Sequence, residues 1–211
     1  MPVTNDRMLK QTFTQLVSGY AGNNQLATEL WNEIEISYSG KKRFYHTLAH
    51  LENLLIQLLE VKNNIQHWDT ILFTLYYHDC VYNALQSDNE EKSAGLAEQR
   101  MKQIVIPAEI IAACKAQILA TKKHLDNTDT DTNYFTDADL SILGTDWDTY
   151  SAYFKNVRKE YAIYPDVIYN PGRRKVLKHF LAMERIFKTD YFYTKFERQA
   201  KENLQRELSL F

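Results

Sequence analysis

Residues 68–82 of this 211-residue chain read "WDTILFTLYYHDCVY". From Ile71 to Tyr77 only Thr74 interrupts the apolar run, so a helix here has no face left for water and belongs at the centre of a core. The flanking segments carry helical period instead of strand alternation. "DRMLKQTFTQLVSGY" repeats apolar residues at Met8, Phe13, Leu16 and Val17, and "NQLATELWNEI" repeats them at Leu26, Leu30, Trp31 and Ile34. "HTLAHLENLLIQLLEV" sets Leu48, Leu51, Leu54, Leu55, Leu58 and Leu59 on one broad stripe. With only 6 Gly and 4 Pro, the chain is poor in the turn residues that a β-sandwich needs. The expected class is all-α, in a single domain of about 8–10 helices.

Further along, "SDNEEKSAGLAEQRMKQI" offers Ser87 and Asp88 as N-caps, with acidic residues in the first turn. Pro107 suits the first helical position of "PAEIIAACKAQILATKKH". Residues 125–133, "LDNTDTDTN", read as a loop, after which Asp137 and Asp139 open a short apolar helix. Pro171 and Gly172 read as a turn or helix break, and a last helix is expected from about Tyr191 to Leu208.

A net charge of -2 and a pI near 6.3 give no basic excess, so no nucleic-acid polymer is expected as partner. No run approaches the ~18–20 apolar residues of a membrane span. "MPVTNDRMLKQTF" lacks the apolar core and small-residue cleavage site of a secretory signal. Cys80 and Cys114 lie inside apolar-periodic segments and are expected to be reduced and buried, in a cytoplasmic protein.

The residues that suggest chemistry begin with His78-Asp79, at the end of the apolar run. A carboxylate in such surroundings is costly unless paired or bound to a metal. The pair alone admits two readings: metal ligation, or a helix end with Asp79 exposed in a turn. His50 lies 28 residues earlier, on the preceding helix, so an antiparallel hairpin can bring it to His78. Imidazole nitrogens with a carboxylate suit Zn, Mn, Fe or Ni better than Ca. "FTDADLSILG" supplies a further carboxylate from Asp137 or Asp139.

His50, then His78-Asp79, then Asp139 resemble the H…HD…D pattern of the HD-domain superfamily of metal-dependent phosphohydrolases, over residues 43–144. "YHTLAH", "HDCVYN", "NEEKSA" and "DADLSILG" together look like a bacterial family of small HD phosphohydrolases of unassigned substrate. "YHTLAH" and "ADLS" are also similar to elements of the cyclic-nucleotide phosphodiesterases, although Thr47 departs from their Asn. The resemblance implies an HD-type helical bundle over residues 1–211, with helices 146–211 packed on the metal-site core. It implies one or two divalent ions (Mn, Zn, Mg, Ni, Co or Fe) held by His50, His78, Asp79 and Asp139, with Asp139 chosen over Asp137. His46 becomes the general acid, and the expected reaction is hydrolysis of a phosphate mono- or diester, nucleotides included, through a metal-bound hydroxide. A non-catalytic HD module binding a nucleotide or protein, and an HD-fold di-iron oxygenase, are the alternatives.

Other residues carry two readings each. His124 is a second-metal ligand or phosphate contact, or a helix-end histidine favoured by the dipole. Glu90 supports a ligand histidine or bridging water, or complements a helix N-terminus. Arg43 and Tyr82 contact substrate, or belong to surface and core. Arg158, Arg173 and Arg174 read as surface residues, Lys122 and Lys123 as solvated. His67 reads as a helix-start residue and His179 as a surface one. Tyr153, Tyr161 and Tyr164 read as packing.

Overall fold

In the computed structural model, which describes residues 5–211, the apolar run is helical over Trp68–Tyr77, and Thr70 through Tyr77 are all buried. It is α4 in an order of ten α-helices: α1 (Asn5–Ala21), α2 (Asn24–Tyr38), α3 (Leu48–Glu60), α4, α5 (Asn89–Gln103), α6 (Ala108–Ala120), α7 (Thr130–Leu140), α8 (Trp147–Glu160), α9 (Asp166–Ala182) and α10 (Asp190–Leu208). Short 3-10 turns occupy Lys62–Asn64 and Ser141–Gly144, and no strand occurs among the described residues. The all-α expectation is met. No described helix is long and apolar enough to cross a membrane.

The chain groups into two compact units, Met1–Thr136 and Asp137–Phe211. In the first, α4 packs against α1, α3, α5 and α6. Phe13 of α1 meets Tyr76 edge-on at 4.8 Å, with Trp31 of α2 completing the cluster at 6.0 Å from Phe13. Burying each such ring contributes roughly 1.5–3 kcal/mol. Arg100 of α5 forks onto Glu33 of α2 at 2.6 and 2.7 Å. The stripe on α3 buries Leu51, Leu54, Leu55 and Leu58, whereas Leu59, at its edge, is exposed. Cys80 and Cys114 are buried free thiols, and burial pushes Cys114 up to about 12.

In the second unit, α9 and α10 pack together, and the 3-10 turn lies against α8 and α10. Its buried polar centre is Glu207, which accepts two bonds from Arg173 (2.7 and 2.8 Å) and one from the Tyr150 hydroxyl (2.5 Å). Arg173, expected at the surface, is therefore in the interior. A fork that satisfies a buried carboxylate is stable where a single charge is not. Arg158 instead holds the end of α8, bonding the carbonyls of Tyr161 and Tyr164 and the carboxylate of Asp166.

Three local expectations fail for physical reasons. Residues 125–133 are not all loop: Asp129 accepts the Thr132 N–H at 3.1 Å and its hydroxyl at 2.5 Å, a cap that starts α7 at Thr130. Asp137 and Asp139 consequently sit in the last turn of that helix, not at the start of a new one. Pro171 and Gly172 do not break α9, which is continuous through them. The bond that Pro171 lacks would have gone to the carbonyl of Val167, a residue 79% exposed, so water can satisfy it. Pro107, finally, is the N-cap of α6 and not its first residue.

Candidate metal centre

The apolar helix stops one residue before the His-Asp pair. His78 is the C-cap residue of α4 and is buried, while Asp79 follows it with a side chain 19% exposed. The pair is thus at a helix end, but not in an open turn. His78 Nδ1 lies 2.9 Å from the Leu75 carbonyl. A carbonyl only accepts, so Nδ1 carries the proton and Nε2 presents its lone pair. That Nε2 is 3.2 Å from Nε2 of His50 and 3.2 Å from Oδ2 of Asp79. Electron-rich atoms converging this closely require a proton or a cation among them.

His50 reaches this point from the first turn of α3, on the flank of the leucine stripe, and is buried. On the other side, Phe135 of α7 sets its ring edge-on to His78 at 5.5 Å. Asp139 is one turn further along the same unbroken helix, on the same face. The ligand atoms of His50, His78 and Asp139 lie within 4.8 Å of one another, a group able to hold a metal ion. Two imidazoles and a carboxylate make a mixed N/O donor set.

Asp79 borders this group, with Oδ2 4.0 Å from His50 Nε2 and 3.8 Å from His46 Nε2. Burial works to raise its pKa, but His78, His46 and His50 around it outweigh burial and hold the carboxyl far below the usual range. Its backbone N–H donates to the buried Tyr38 hydroxyl at 3.2 Å. His46 precedes α3 and does not belong to it, since Thr47 is the N-cap. The exposures separate the histidines: 19% for His46 against 5% for His50 and 1% for His78. His46 is at the mouth, between the edge-on ring of Tyr45 (4.9 Å) and the tilted ring of Tyr82 (4.2 Å, 31°).

Asp137, two residues from Asp139, is engaged elsewhere. It accepts the N–H groups of Lys188 and Thr189 and the Thr189 hydroxyl at 2.7–2.9 Å, tying down the start of α10. Glu90 pairs with Lys122 at 3.5 Å, and no contact with a cluster histidine is seen among the described residues. Lys122 is exposed, as expected, and also bonds Glu91 and the Ser87 carbonyl, clamping the start of α5 to the end of α6. His124 follows α6 with a left-handed φ of 49° and is not one of the three-residue group. Arg43 bonds two backbone carbonyls, those of His46 and Cys80. His67 is the N-cap residue of α4, and His179 is exposed.

Tyr38 and Tyr45 had no role on sequence grounds. Tyr45 has a local signal, because it adjoins His46 and its ring also lies 5.0 Å from His50. Tyr38 has none, since its contact with Asp79 spans α2 and the end of α4. Compared with protein-family models, curated proteins and solved structures, the chain matches none of them.

Proposed function

We propose that this protein is a metal-dependent phosphohydrolase that cleaves a phosphate mono- or diester, with nucleotides the first class to test. The observation that carries the reading is the convergence of His50 and His78 Nε2 at 3.2 Å beside Asp79, with Asp139 completing the group. The resemblance of His50, His78-Asp79 and Asp139 to the HD superfamily pattern supports the same choice. A divalent ion bound by these four residues supplies a Lewis acid, which lowers the pKa of a water from ~15.7 toward ~7.

The remaining work falls to the chain's own groups. The Leu75 carbonyl keeps the His78 proton on Nδ1, leaving Nε2 as a ligand atom. Ionised Asp79 accepts a hydrogen bond from the attacking water and orients it. His46, the most exposed of the three histidines, delivers a proton to the leaving oxygen, a task suited to an imidazole. Phe135 and the buried faces of α3 and α4 keep bulk water from the inner side of the site.

Elemental analysis of the purified protein, combined with phosphatase and phosphodiesterase substrate panels supplemented with Mn, Co, Ni, Mg, Zn or Fe, tests the reading. The expected result is bound divalent metal and hydrolysis of at least one ester that a chelator stops. Absence of both metal and hydrolysis overturns it. Nucleotide binding without turnover favours the non-catalytic module, and paired iron with oxygen consumption favours the oxygenase.

A further inference from the structure

Arg43 has the chemistry of a phosphate-binding residue, yet its guanidinium is directed into the protein. Nη1 donates to the His46 carbonyl at 3.1 Å, and Nη2 donates to the Cys80 carbonyl at 2.8 Å. The same group lies over the rings of Tyr38 (4.9 Å) and Tyr82 (5.4 Å). Tyr82 in turn lies against the His46 ring at 4.2 Å, and Tyr38 receives the N–H of Asp79 at 3.2 Å. One side chain therefore touches both segments that carry the chemistry and both tyrosines that border them.

We propose that Arg43 is a positioning residue, a strut that holds the His46 segment at a fixed distance from the His78-Asp79 segment, with Tyr82 setting the plane of the His46 ring. Its catalytic meaning rests on the phosphohydrolase reading above; its structural meaning does not. The argument is geometric. Two nitrogens of one rigid plane bond carbonyls from two separate loops, which fixes both the separation and the relative tilt of those loops. Lysine offers a single flexible point of charge and cannot do both. The ligand histidines are seated on α3 and at the end of α4, so loss of the strut leaves them in place. What it releases is His46, whose Nε2 lies 3.8 Å from Asp79. Misplacing a proton donor by ~1 Å is enough to cost about 100-fold in rate.

The test reads the His46 ring directly. In protein labelled at histidine Cε1, the Tyr82 ring, 4.2 Å from the His46 ring, is expected to shift the His46 Hε1 signal, which a His46→Gln variant assigns. Arg43→Lys is expected to move it toward its position in Tyr82→Leu, where the ring is gone but bulk remains. The His50 signal and the metal content should stay as in the wild type, while kcat falls 10- to 100-fold at nearly constant KM. An unchanged His46 signal in Arg43→Lys overturns the strut. A raised KM with kcat and the signal unaltered would make Arg43 a substrate contact instead. Should Arg43→Lys fail to fold, Arg43→Gln, which keeps one planar amide but not the two-pronged guanidinium, carries the same test: a His46 signal and kcat equal to wild type refute the strut. The NMR result stands whether or not the wild type hydrolyses anything, so a failed phosphohydrolase reading and a failed strut give different outcomes.

Discussion

At the scale of single residues, the determinant is which nitrogen of His78 holds the proton. The Leu75 carbonyl, one turn back on α4, fixes it on Nδ1 and turns Nε2 toward His50 and Asp79. His46 lies before α3 and is the most exposed of the three histidines. The two histidines of "YHTLAH" are therefore predicted to fail differently. His46→Ala should retain metal by elemental analysis while turnover falls 10²- to 10⁴-fold, the usual range for loss of a general acid. His50→Ala should lose metal and turnover together. Equal metal loss in both variants would erase the distinction.

At the scale of elements, helix ends are held by side chains from distant helices. Asp131 of α7 is buried and accepts the N–H groups of Gln66 (2.9 Å) and His67 (2.7 Å), just where α4 begins. Replacing it with alanine leaves two donors without their carboxylate and should lower stability by about 1–3 kcal/mol in urea unfolding. Glycines in the second unit divide by their surroundings. Gly172 is inside α9, and a Cβ there meets nothing within 4 Å. Gly172→Ala should therefore raise the urea midpoint, by about 0.5–1 kcal/mol of stability, through helix propensity and reduced unfolded-state entropy. At Gly144 a Cβ would come within 2.5 Å of Phe196 Cβ and 2.7 Å of its carbonyl oxygen. Gly144→Ala should cost about 1–3 kcal/mol or more in the same assay, because the backbone of α10 must give way.

At the scale of the whole molecule, the proposed ion becomes a term in folding. An ion that binds only the native state adds RT ln(1 + [L]/Kd), about 2.7 kcal/mol at 100 times Kd. Calorimetry should show a Tm that rises with added Mn or Zn and falls back with chelator. The same titration on His50→Ala should be flat. A rise that survives His50→Ala would place the ion elsewhere on the chain.

Much of this protein is legible in its residues because helical period and burial are local properties of sequence. The run from Ile71 to Tyr77 fixes a central helix, and the leucines of α3 fix its buried face. The identity of the candidate ligands is legible too, because imidazoles and carboxylates beside apolar runs are costly unless they are hydrogen-bonded, paired or bound to a metal. What period and propensity cannot express is a contact between segments far apart in the chain. Asp131 reads as loop polarity until α7 carries it to the start of α4. Arg173 reads as surface charge until Glu207 and Tyr150 enclose it. Asp137 and Asp139 are nearly equivalent by period and propensity, and on sequence grounds only the resemblance separates them; in the structure one ties down α10 and the other joins the histidines. Composition and spacing determined the all-α class and the candidate donors. Only the tertiary structure decided which donors meet, because convergence is a property of distances in space and not of separations along the chain.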